Sequence, residues 1–95
     1  MNLDIEQIKS EILPILLQYG VSKAALFGSI VKQQMRSDSD IDILVQIDKD
    51  ISLLDFVGLK IDLEDKLKRN VDVVEYDTIK PVIREEILRE QRIIL

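Results

Sequence analysis

The chain has 95 residues and a mass of 11.0 kDa, with 18 acidic side chains against 13 basic ones and no Cys, His or Trp. Those absences exclude a disulfide framework, a thiolate nucleophile, an imidazole base and any metal site built on Cys or His. Asp, Glu, Ser, Thr, Lys, Arg and Tyr remain for chemistry, and oxygen-only ligands favour a hard cation such as Mg²⁺.

The N-terminal sequence MNLDIEQIKSE lacks the basic-then-apolar order of a secretory signal, which points to a cytoplasmic protein. Residues 4–19 are expected to form a helix, because Ile5, Ile8, Ile12, Ile15 and Tyr19 recur at helical spacing. Asp4 can cap it, Leu3 can pack on Ile8, and Gly20 suits the position after its end. Pro14 removes one helical hydrogen bond, so a kink or early break is expected there. Ser22 to Phe27 forms a short apolar strand that ends at Gly28, and Ser29 can cap a short helix reaching about Met35.

Residues 41–47 form a strand with Ile41, Ile43, Val45 and Ile47 on one face. Residues 52–68 form a helix whose inward stripe is expected to be Leu54, Val57 and Ile61, widened by Leu53, Phe56, Leu63 and Leu67. Residues 71–76 give a third strand, and Pro81 opens a last helix over about 81–90. The tail Arg92-Ile93-Ile94-Leu95 can pair as a final strand or pack on the core. Strands alternating with helices in a chain of this length give one α+β (α/β) domain over residues 1–95, a small mixed sheet packed with helices. No apolar run approaches the roughly 18 residues that a membrane helix needs.

The acidic excess is local. Residues 38–50 carry five Asp and one Lys, net −4 of the chain's −5. The net charge of −5 disfavours non-specific binding to nucleic acid, which needs basic patches. Asp40 and Asp42 stand two apart on an expected strand, so their side chains share a face about 6.6 Å apart along it. Two carboxylates so placed repel unless a cation lies between them. A calcium loop starting at Asp38 fails twice, because Ile43 stands where Gly is needed and Lys49 where a Glu is needed. An ordinary polar sheet face remains an alternative for the pair taken alone.

Gly28-Ser29 lies where a strand opens into a helix, a place where backbone N–H groups can meet an anion. By itself it also suits a plain turn and cap. Asp72 sits among Val71, Val73 and Val74, where a carboxylate needs a partner, a metal or a water-facing edge. Adjacent strands about 4.8 Å apart could bring it beside Asp40 and Asp42.

Taken together, Gly28-Ser29, ten intervening residues and Asp40-Ile41-Asp42 resemble the GS-x10-DxD signature of the polymerase-β-type nucleotidyltransferases. FGSIVKQQMRSDSDIDILV and NVDVVEYDTIKPVIREEIL are similar to the minimal nucleotidyltransferases of that superfamily. The resemblance implies a polymerase-β-like core. It implies that Asp40, Asp42 and Asp72 are catalytic and ligate metal, two Mg²⁺ ions with Mn²⁺ as a substitute. It further implies that Gly28, Ser29 and Lys32 bind the nucleotide. Relatives commonly carry Arg then Gly four and five residues after the motif Gly, where this chain has Lys32 and Gln33.

The implied reaction moves a nucleoside monophosphate, AMP from ATP, onto a hydroxyl of a partner protein. The implied partner is a HEPN-type helical toxin, with this chain as its antitoxin. Metal-assisted displacement needs no histidine. Two alternatives stand beside it: a non-catalytic module that neutralises its partner by binding, and a transferase acting on a small antibiotic-like hydroxyl. The short chain opposes the second, since few residues remain to enclose such an acceptor. The tail Ile93-Ile94-Leu95 and the mixed-charge helix before it are candidate contact surfaces, against core packing of the tail.

Overall fold

A computed structural model describes residues 4–31, 40–48 and 50–95. Helix α1 spans Ile5–Gln18, and the Asp4 carboxylate accepts the Glu6 N–H at 3.1 Å as its cap. The helix continues through Pro14 without a break. Pro14 is exposed, while Ile12 and Leu16 keep the inner face packed. Gly20 follows with φ +81°, and the chain enters strand β1, Val21–Phe27.

Strand β2 is Ile41–Ile47, α2 is Leu53–Leu67, β3 is Val71–Glu75, α3 is Pro81–Glu90 and β4 is Arg92–Ile93. Ser52 caps α2 by accepting the Asp55 N–H at 3.1 Å. Lys68 ends it in the left-handed region at φ +57°. Short 3₁₀ turns occupy Gly28–Ile30 and Tyr76–Thr78, so β3 stops one residue before the expected end. Pro81 stands in the first turn of α3, as its fixed φ suits.

The sheet order is β3-β2-β1-β4. β1 pairs antiparallel with both β2 and β4, and β2 pairs parallel with β3 through the α2 crossover. Ile41, Ile43 and Val45 point to one face, with Ile47 packed against the same cluster. That face meets Ile8, Ile12 and Leu16 of α1 and Leu59, Leu63 and Leu67 of α2, all buried. The opposite face carries a smaller cluster of Ala25, Leu44, Tyr76 and Ile79, with Ile87 and Leu88 of α3 against it.

The inward stripe of α2 differs from the expected one. Leu53, Leu54, Val57 and Ile61 are exposed, at 79%, 83%, 43% and 54%. Of the expected residues, Phe56, Leu63 and Leu67 do face the core, joined by Leu59. The helix carries two apolar stripes, and periodicity alone does not say which one the sheet selects.

The tail both pairs and packs: Ile94 N–H donates to Ala24 O at 2.9 Å, and Ile94 is buried while Ile93 is exposed. Among the described residues, no helix is long and apolar enough to cross a membrane.

Candidate active site

β1 ends and β2 and β3 begin at the same end of the sheet. Register sets Phe27 opposite Asp42 on one side and Asp72 opposite Asp42 on the other. Residues in register on neighbouring strands project to the same face, and Asp40 lies two residues before Asp42. The three carboxylates therefore share one face, that of Leu44 and α3. Asp40 and Asp72 are exposed and Asp42 is half-buried between the neighbouring strands.

Gly28 closes the site from β1. Its φ is +77°, and a Cβ placed there would strike the Asp42 carboxylate oxygen and lie 3.2 Å from its Cγ. Glycine is thus required twice, for its backbone conformation and for the close approach. The Val31 N–H donates to Gly28 O at 3.1 Å and holds the 3₁₀ turn that begins beside Asp42. Phe27, which the sequence presents only as a strand end, packs on the Ala25–Leu44 cluster and gives Asp42 an apolar neighbour. Its signal was position, directly before the motif glycine.

Burial pushes the Asp42 carboxyl up to about 6, and the negative charges of Asp72 and then Asp40 add to the rise. Asp72 lies thirty residues further along the chain, so the parallel pairing of β2 and β3 creates this coupling. The side chain of Ser29, together with Lys32 and Gln33, lies outside the described residues.

Oxygen donors of like charge fit a hard divalent cation. Among the described residues, no three such side chains already close on one ion.

A family model described as "Polymerase beta, Nucleotidyltransferase" matches residues 10–95. A Methanocaldococcus jannaschii protein provisionally named protein adenylyltransferase MJ0435 is 46% identical over 88 residues, 93% of this chain and 95% of that one. Protein adenylyltransferase MntA of Thermococcus cleftensis is 40% identical over 73 residues, 77% of this chain and 74% of that one. A solved structure provisionally described as a minimal nucleotidyltransferase superposes with TM-score 0.81 at 33% identity, covering 95% of each chain. The fold is also that of a solved structure described as a tri-AMPylated Shewanella oneidensis HEPN toxin in complex with MNT antitoxin. There the TM-score is 0.73 at 20% identity, over 95% of this chain and 71% of that one.

Proposed function

The chain belongs to the polymerase beta nucleotidyltransferase family, and we propose that it transfers AMP from ATP to a hydroxyl of a partner protein in the cytoplasm. The partner in this reading is a HEPN-type toxin and the chain its antitoxin. The names of its relatives support this: two are called protein adenylyltransferases, and a fold neighbour is an antitoxin bound to a modified HEPN toxin. The observation that carries the reading is the register of Asp42 with Asp72, beside Asp40 and against Gly28.

Asp40, Asp42 and Asp72 are the residues that would hold Mg²⁺. Bound there, the metal would neutralise triphosphate charge and polarise the reacting phosphoryl group. Gly28 and Ser29 would offer backbone N–H groups to the phosphates, and the missing Cβ at Gly28 lets the Asp42 carboxylate lie against that backbone. Asp72, exposed on the edge strand, is open to an incoming hydroxyl and can take its proton on a carboxylate oxygen. The hydroxyl oxygen bonds to the α-phosphorus, the bond from that phosphorus to the bridging oxygen breaks, and pyrophosphate leaves.

The test incubates a purified HEPN partner with labelled ATP and Mg²⁺. The partner is expected to gain the mass of AMP on a hydroxyl residue. Asp42→Asn should lower labelling by roughly 10²–10³-fold or more while circular dichroism stays native. A partner that is silenced yet unlabelled would refute catalysis and leave neutralisation by binding. Equal labelling by Asp42→Asn would refute the assigned role of that carboxylate.

A further inference from the structure

Helix α2 is apolar on two sides and, among the described residues, packs against neighbours on only one. Its inner stripe is buried under the sheet and α1, while Leu53, Leu54, Val57 and Ile61 face outward along two turns. A helix apolar on both sides ordinarily lies between two layers. The four side chains expose on the order of 400 Å², the size of the largest apolar patch on an ordinary monomer, which is often functional.

The margins of the stripe are charged and asymmetric. At 100° per residue, Asp65, Asp62 and Asp55 lie on one side of the stripe with Lys66 beyond them, while Lys60 lies on the other side and Glu64 falls within the stripe. Asp62 is fixed in place: the Tyr19 hydroxyl donates to its carboxylate at 2.6 Å, across a contact that Gly58 keeps narrow. A shallow groove lined by Ile15, Asp62, Asp65 and Lys66 runs beside this margin.

We infer that this face of α2 docks an amphipathic helix of a second protein, with apolar residues at i, i+3, i+4 and i+7 and basic residues along one margin. The acidic margin selects that charge. A second copy of this chain fits poorly. Two such acidic faces on chains of net charge −5 repel. The stripe begins where β2 ends, at the end of the sheet away from Asp40, Asp42 and Asp72. Docking there leaves the carboxylates uncovered, and the inference stands whether or not the chain transfers AMP.

The test uses the full ¹⁵N-labelled chain and two synthetic 15-residue helical peptides with the same leucine stripe, one flanked by Lys and one by Glu. The Lys peptide is expected to shift amides within residues 53–65, and to bind at least tenfold more weakly to Leu54→Asp and to Val57→Asp. The Glu peptide should bind at least tenfold more weakly to the wild type. If an aspartate variant loses its native spectrum, Leu54→Gln serves in its place. Failure of the Lys peptide to bind, equal binding of both peptides, or shifts confined to other elements would overturn the inference. So would a concentration-dependent dimer whose shifts map to α2 without peptide, since a second copy would then cover the face.

Discussion

At the scale of single residues, Gly28 and Asp42 constrain each other. Gly28→Ala adds a Cβ that meets the Asp42 carboxylate and places an L side chain at φ +77°. We expect a loss of about 1–3 kcal/mol in denaturant unfolding, together with loss of transfer activity. Asp42 also sets a pH dependence. Its carboxyl is raised from 3.8 to about 6, so the folded metal-free chain holds this proton more tightly than the unfolded chain. The resulting stability is fully present below about pH 4 and is lost as pH rises through about 6. Because Asp42 is only half-buried, solvent screening reduces the effect to about 1 kcal/mol. In EDTA, the unfolding free energy of wild type relative to Asp42→Asn should fall by that amount between pH 4 and 7. A difference that stays constant over this range would show that folding does not raise the Asp42 carboxyl.

At the scale of elements, α2 is the informative case. Its sequence offers two apolar stripes, and the sheet takes the one that contains Leu59, Leu63 and Leu67. Leu59→Ala should cost about 2–5 kcal/mol, because it opens a cavity among fully buried side chains. Leu54→Ala should change stability by no more than about 0.5 kcal/mol. Chemical denaturation of the two variants checks the orientation directly, and comparable losses would reverse it. Helix α1 teaches a related lesson. Pro14 predicts a kink, yet the helix passes through it, because the residue lies on the wet side and the buried Ile12–Leu16 pair bears the packing.

At the scale of the whole molecule, the sheet order brings distant segments to one end. Carboxylates from the start of β2 and β3 meet the glycine that follows β1. The C-terminal segment secures the other side of β1: Ala24 donates to Leu95 O at 3.0 Å, and Ile94 and Leu95 both donate to Ala24 O. Ile94 is also part of the main core. A small domain has little stability to spare, so deleting residues 92–95 should cost at least about 3 kcal/mol and lower Tm by more than about 12 °C. A truncated chain with unchanged Tm would show the tail to be dispensable.

Much of this protein was legible in the linear sequence. The β2 boundaries, the cap at Asp4, the opening of α3 at Pro81 and the membership of the family all follow from local spacing and motif. Local spacing also places Asp40 and Asp42 on one face, since a strand alternates with period two. Three things were decided only by tertiary structure. Asp72 stands opposite Asp42 because a parallel crossover fixes the register of β3. Asp42 titrates near 6 because folding buries it and adds the charge of Asp72. The outward stripe of α2 is exposed because only one side of the helix can meet the sheet. Hydrophobic pattern is a property of neighbours along the chain, whereas register, burial and the choice between equivalent faces depend on which distant surfaces meet.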